Sequence, residues 1–233
     1  MDHNPILCAI DTPDPRRARA LADAIGGLVG GIKLGLEFFV ANGPAAVRDV
    51  SAKAGLAFLD LKLHDIPNTV ARAVRSAAAL EPMLLTIHCA GGAAMMRAAV
   101  EAARDAAQGR RRMKLIGVTV LTSLDDADLA ATGQRGPAPE QARRLAMLAR
   151  EAGLDGVVCS PHEVAIVRAA CGGGFLLVTP GIRPAGAAVA DQKRVMGPRE
   201  ALAAGADYLV IGRPISEAPD PAAAARAICE EIR

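Results

Sequence analysis

The side chains best suited to chemistry are concentrated in residues 58–70, Phe-Leu-Asp-Leu-Lys-Leu-His-Asp-Ile-Pro-Asn-Thr-Val. Asp60 and Lys62 stand two apart inside an apolar run. On a strand this spacing sends both to one face, while Leu59, Leu61 and Leu63 turn to the other and into packing. Opposite charges on a buried strand are costly unless they are paired or used. Carboxylate and ammonium groups are also the side chains that stabilise charge and move protons. Asp65 follows three residues later, and Pro67, Asn68 and Thr69 have the composition of a strand handing over to a helix.

The elements that must position this stretch repeat as strand then helix. Apolar runs at Ile6–Asp11, Gly31–Leu34, Ala57–Lys62, Met83–His88, Lys114–Thr122, Gly156–Ser160, Phe175–Thr179 and Tyr208–Ile211 predict eight strands. Ala-, Arg- and Leu-rich segments between them, with proline at several starts, predict the crossover helices, and Pro219–Ile232 closes the chain. Strand–helix units of this kind build parallel sheets, and eight of them close a barrel. The open doubly wound alternative would carry a glycine fingerprint after the first strand. Here Thr12-Pro-Asp-Pro15 stands in its place. The expected fold is a single (β/α)8 TIM barrel formed as one domain by residues 1–233.

In such barrels chemistry sits at the C-terminal ends of the strands. Those ends supply Asp11, Lys33, Asp60, Lys62, Thr122, Ser160 and Arg213, with His88 as a further candidate. The loops after the last two strands commonly hold a phosphate. In this chain they carry Arg183, Gln192 and the pair Gly212-Arg213. Glycine lets backbone N–H groups approach an anion, and arginine can bond it bidentately.

Composition narrows the classes of partner. The 27 basic and 25 acidic residues give a net charge of +2, and aromatics make up 2% of the chain. Both features argue against nucleic-acid binding, which favours a basic stripe with stacking rings. Arg110-Arg111-Arg112 reads as a solvated helix end. No segment reaches the length and apolarity of a membrane helix. The five cysteines are scattered and odd in number, and no signal peptide is evident; they read as reduced core fillers in a cytoplasmic protein. His3, His64, His88 and His162 show no metal-ligand spacing. A lysine between Asp60 and Asp65 competes for the charge a cation would need, so no metal is expected.

Taken in order, these residues resemble the orotidine 5′-phosphate decarboxylase family, closest to its compact bacterial form. Its marker, Asp-x-Lys-x-x-Asp-Ile-Pro-Asn-Thr, is met without departure from Asp60 to Thr69. Ala9-Ile-Asp11, the Lys33 strand, Val118-Thr-Val-Leu-Thr122, Pro180-Gly-Ile-Arg183, Asp191-Gln192 and Ile211-Gly-Arg213 also fall in sequence. The resemblance implies a homodimeric, cofactor-free carboxy-lyase of pyrimidine biosynthesis. Asp11 and Lys33 would hold ribose hydroxyls, and Lys33 would also pair with Asp60. Asp60 would face the departing carboxylate, and Lys62, kept charged by Asp60 and Asp65, would donate the proton. Asp65, Ile66 and Thr69 would reach into a second subunit's site. Thr122 would meet the pyrimidine, and Arg183, Gln192, Gly212 and Arg213 the phosphate. A loop over residues 182–191 would close on the ligand.

Two other readings share parts of this pattern. A Mg²⁺-dependent sugar-phosphate decarboxylase or aldolase of the same wider barrel group shares Asp-x-Lys-x-x-Asp but does not need the Ile-Pro-Asn-Thr continuation. A non-catalytic phosphate-ligand-binding barrel would not need Lys62 with both acids.

Overall fold

The computed structural model describes residues 4–54, 57–109, 111–184 and 196–233. Eight strands form the expected closed barrel: β1 (Ile6–Ile10), β2 (Gly31–Gly35), β3 (Ala57–Leu63), β4 (Leu84–His88), β5 (Lys114–Val118), β6 (Gly156–Val158), β7 (Leu176–Thr179) and β8 (Tyr208–Ile211). Each pairs in parallel with its sequence neighbour, and β1 pairs with β8 to close the ring, Leu7 opposite Val210 and Cys8 opposite Ile211.

The helices between them are α1 (Pro15–Ile25), α2 (Leu36–Ala54), α3 (Pro67–Ala78), α4 (Gly92–Ala107), α5 (Asp126–Ala131), α6 (Ala138–Glu151), α7 (Val164–Cys171), α8 (Pro198–Ala203), α9 (Arg213–Ser216) and α10 (Pro221–Glu231). Their starts follow from local chemistry. Asp14 accepts the Arg16 amide at 2.8 Å ahead of Pro15, and Asp220 accepts the Ala223 amide at 2.9 Å ahead of Pro221. Helix α2 is kinked at Gly43, whose φ of 70° is left-handed, immediately before Pro44.

Strand alternation divides the core in two. Leu7, Ala9, Phe58, Leu84, Ile116, Val178 and Val210 form one apolar cluster that fills the ring. Ile6, Cys8, Ile10, Ile32, Leu34, Leu59, Leu85 and Ile87 belong to a second cluster shared with the helices. Continuing the inward positions toward the strand ends leads to Asp11, Lys33, Asp60 and Thr86. The period of two that packs the barrel therefore also aims its polar residues at the mouth. Four cysteines are buried and Cys229 is half-buried; all five are free. Burial pushes the Cys8 thiol up to about 12, so it serves as packing.

Three details differ from the sequence reading. Strand β5 stops at Val118 rather than Thr122, because the Thr119 hydroxyl donates to the Val158 carbonyl at 2.8 Å and the chain then leaves the ladder. The short helices α8 and α9 were not expected; six and four residues are too few to show a helical period. Arg112 is not a solvated helix end. Its guanidinium meets both oxygens of Asp155, at 2.9 and 2.6 Å, and Asp155 also accepts the Leu115 amide at 2.8 Å. Arg168 makes a matching link to Asp207 at 2.6 Å, and Asp207 accepts the Leu177 amide at 2.7 Å. These two ion pairs tie down the starts of β5 and β7, at the end of the barrel away from the polar mouth.

The wall is close-packed enough to test with one methyl group. A Cβ on Gly156 would lie 2.2 Å from the Leu176 carbonyl oxygen, a backbone atom that cannot swing aside. Gly156→Ala is expected to cost about 2 kcal/mol or more in urea denaturation with an unchanged m-value. A loss under about 0.5 kcal/mol would show that the wall yields.

Candidate active site

Four charged side chains from three adjacent strand ends form a continuous chain of ion pairs. Lys33 on β2 reaches Asp11, just past β1, at 3.2 Å and Asp60 on β3 at 3.6 Å. The second oxygen-sharing partner of Asp60 is Lys62, whose Nζ lies 2.8 Å from the same Oδ2. The charges thus alternate along Asp11, Lys33, Asp60 and Lys62. Gly35, paired with Asp60 across β2 and β3, leaves them room: a Cβ there would stand 3.3 Å from the Lys33 ammonium.

Asp60 and Lys62 meet on an irregular strand, not on the regular pleat expected from their spacing. Between the pairs Leu59–Leu85 and Leu63–Ile87 the register shifts, so β3 carries extra residues against β4. Lys62 takes a positive φ of 50°, uncommon for a side chain of this kind. Its amide donates to the Thr86 hydroxyl at 2.8 Å, and that hydroxyl lies 3.0 Å from Asp60 Oδ1. Thr86 is fully buried on β4. The sequence reading missed it, although Leu84-Leu-Thr-Ile-His88 shows a lone hydroxyl at an inward position two before His88.

Electrostatics follow from this packing. Burial pushes the Asp60 carboxyl up, but Lys33, Lys62 and the Thr86 hydroxyl together pull it below its ordinary value. Asp60 is therefore held ionised. His88 is shifted down, first by burial and then by His64 and Lys62, with Asp60 opposing. Its ring packs against His64 with centroids 5.4 Å apart and a 35° tilt. His64 is thus engaged with another ring.

The chain of charges lines one side of a cavity of about 430 Å³. Phe58, Val118, Val120, Leu121 and Val158 give it apolar walls, and Thr122 lines it too. The same cavity is lined by Gly181 and Arg183 from the exit of β7 and by Gly212 and Arg213 from the exit of β8, and a Cβ on Gly212 would stand 3.8 Å from Asp11 Oδ2. A cavity of this size with a few convergent polar groups suits a small ligand. Its polar lining is of two kinds, an alternating acid–base row and the glycines and arginines of the last two strand exits.

Of the residues singled out in the sequence, Asp11, Lys33, Asp60, Lys62, Thr122, Arg183, Gly212 and Arg213 line this cavity. Asp65, Ile66 and Thr69 do not; they are exposed outside it, and Asp65 accepts the Ile66 amide at 2.6 Å. Ser160 is turned into the wall, its amide bonded by the buried Glu163 at 2.9 Å, and it does not face the cavity. His162 is exposed. Gln192 and residues 185–191 of the loop lie outside the described residues, as do His3 and Arg110. Among the described residues no group of His, Cys, Asp and Glu could hold a metal ion, and no helix is long and apolar enough to cross a membrane.

The position of Asp60 between two ammonium groups has a stability consequence. A carboxyl lowered in the folded state contributes stability that is complete above its unfolded value and is lost as pH falls through the folded one. Asp60→Asn should cost about 2 kcal/mol or more near neutral pH, because it takes the paired carboxylate from Lys62 and leaves Lys33 with Asp11 alone. The gap in Tm between the two proteins should narrow below about pH 4, as wild-type Asp60 takes up its proton. A gap independent of pH would contradict this account.

The geometry can be set beside known proteins. Residues 4–228 match the model of the orotidine 5′-phosphate decarboxylase / HUMPS family. The chain is 56% identical to the orotidine 5′-phosphate decarboxylase of Rhodospirillum rubrum, covering 100% of this chain and 95% of that one. It is 58% identical to the Anaeromyxobacter dehalogenans protein of the same name, covering 96% of each. Among solved structures, orotidine 5′-phosphate decarboxylase from Lactobacillus acidophilus superposes with a TM-score of 0.87 at 35% identity, over 99% of both chains. With its marker stretch at the mouth of a closed eight-stranded barrel and a family match that runs almost end to end, this chain belongs to the orotidine 5′-phosphate decarboxylase / HUMPS family.

Proposed function

We propose that this chain, acting as one barrel domain, decarboxylates orotidine 5′-phosphate to UMP and carbon dioxide in pyrimidine biosynthesis. The observation that carries the reading is that the row Asp11, Lys33, Asp60 and Lys62 lines one cavity together with Arg183 and Gly212-Arg213. A nucleotide has the matching polarity, with phosphate at one end, ribose hydroxyls between, and a base at the other.

The chemistry asked of the site is severe. Breaking the bond to the carboxylate leaves its electron pair on a ring carbon with little delocalisation. Many decarboxylases place such electrons in a cofactor. In this reading preorganised charge replaces that sink. Asp60, held ionised, faces the substrate carboxylate and disfavours it against the neutral carbon dioxide that leaves. The Lys62 ammonium stabilises the growing negative charge and then passes its proton to the ring carbon, and solvent later returns a proton to Lys62. Asp11 and Lys33 bind ribose hydroxyls, and Thr122 meets the base. Arg183, Gly212 and Arg213 hold the phosphate, with Gln192 joining them.

Binding energy from the phosphate end can be spent on holding the reactive end in place. Arg213→Ala should therefore lower kcat as well as raise KM, together costing about 100-fold or more in kcat/KM. A change confined to KM would show that the phosphate only anchors. Lys62→Ala should abolish turnover of orotidine 5′-phosphate, followed by pyrimidine absorbance. Turnover by the wild type should survive a chelator, and its loss would favour the Mg²⁺-dependent barrel chemistry instead.

The reading includes a homodimer with shared sites. Asp65, Ile66 and Thr69 lie outside their own cavity, and Ile66 is 67% exposed. Leu36 and Val40, at the exit of the neighbouring strand, are also large apolar side chains left exposed. A second copy would cover this rim and bring Asp65 toward its Lys62. The five free thiols suit a cytoplasmic setting. Mixing inactive Lys62→Ala and Asp65→Ala subunits should restore part of the activity, because one site of each mixed dimer keeps both residues. No recovery despite demonstrated subunit exchange would exclude shared sites.

A further inference from the structure

We propose that Thr86 is a positioning residue for the reaction: its hydroxyl fixes both the backbone and the ammonium of Lys62 relative to one carboxylate. The inference rests on the reading of Lys62 as proton donor and adds to it a residue outside the marker stretch.

The direction of each hydrogen bond is forced. The Lys62 amide can only donate, so Thr86 Oγ1 accepts from it at 2.8 Å. A hydroxyl has one proton, and the other close partner of Oγ1 is Asp60 Oδ1 at 3.0 Å. Thr86 therefore donates to Asp60. The opposite oxygen of Asp60, Oδ2, takes the Lys62 ammonium at 2.8 Å. The result is a closed ring: Lys62 amide to Thr86, Thr86 to Asp60, Asp60 to Lys62 ammonium. A lysine has a long flexible stem, and fixing one end alone would leave its Nζ free to wander. Here the amide end is held by Thr86 and the ammonium end by Asp60, and Thr86 bonds Asp60 in turn.

The ring also accounts for the backbone. Strand β3 shifts register beside β4 at this point, and Lys62 sits at positive φ. An amide taken out of the ladder needs an acceptor where water is scarce. Thr86 is at 0% exposure, and its hydroxyl is that acceptor. Without it, the amide is left unpaired and Asp60 loses one of the donors that favour its charged form. A threonine on this strand would be an ordinary packing residue if its hydroxyl bonded a neighbouring carbonyl, as that of Thr119 does. Among the described residues, the hydroxyl of Thr86 hydrogen-bonds the two residues at the centre of the charge row.

Thr86→Val keeps the shape and removes the hydroxyl; Thr86→Ser keeps the hydroxyl and removes the methyl. In Thr86→Val, kcat for orotidine 5′-phosphate should fall about 10- to 100-fold while KM changes less than about threefold, since the phosphate and ribose contacts are untouched. Thr86→Ser should stay within about threefold of wild type in both. The acid limb of the pH profile should move upward in Thr86→Val, because Asp60 loses a hydrogen bond to its ionised form. The groups that set this limb around Asp60 are Lys33 from β2, Lys62 from β3 and Thr86 from β4, with Asp11 beyond Lys33 and His88 further along β4. If the valine protein does not fold, Thr86→Ala is read by the same split between kcat and KM. The proposal is overturned if the folded hydroxyl-free variant keeps kcat within about threefold, or if Thr86→Ser is as impaired as Thr86→Val. A Lys62→Ala protein that still turns over would instead sink the proton-donor reading itself.

Discussion

Everything at the mouth of this barrel depends on one carboxylate held between two ammonium groups. Asp60 is largely buried, and alone it would be driven toward its neutral acid. Lys33 and Lys62 reverse that, and each lysine in turn is tolerated there because Asp60 lies beside it. Removing any one member takes an ion-pair partner from a neighbour in a poorly hydrated place, so the members are energetically coupled. The apolar layer below, from Leu7 and Phe58 to Val210, provides the floor that keeps water from screening it.

The charge row stands on strand ends whose neighbours are locked in a parallel ladder, so its geometry is set by the barrel. The arginines of the cavity come from the β7 exit and from the short helix α9. At the far end of the barrel, Arg112–Asp155 and Arg168–Asp207 tie strand starts to their surroundings. Charge is used there to hold the fold, and at the mouth to prepare a site. This is the division of labour expected between the two faces of such a barrel.

Much of this was legible in the sequence because parallel strands and their exits obey short-range rules. Eight apolar runs alternating with helical segments were enough to count the strands, and the polar residues at the run ends marked the mouth. Asp11, Lys33, Asp60 and Lys62 were therefore identifiable one by one. Their mutual distances were not, because these depend on the register between strands. The shift in β3 was invisible for the same reason: a bulge is a property of two strands, and the expected regular pleat at Asp60 and Lys62 came from reading one. Thr86 escaped notice because a threonine inside an apolar strand is common, and only its partners distinguish it. Arg112 was misjudged because its partner Asp155 lies far along the chain.

The seam of the barrel has a consequence for the life of the chain during synthesis. The ring is closed by β1 against β8, the first strand against the last. Asp11 follows the first of these and Gly212-Arg213 the second, so the charge row and the last arginine of the cavity meet at that seam. A nascent chain can stack helices on a growing sheet as it emerges, but it cannot complete the ring until β8 has left the ribosome. Fragments from interrupted translation would lack both closure and the arginine end of the cavity, while exposing the unpaired edge of β1. Catalytic competence is thus reached only after β8 and its exit have been made.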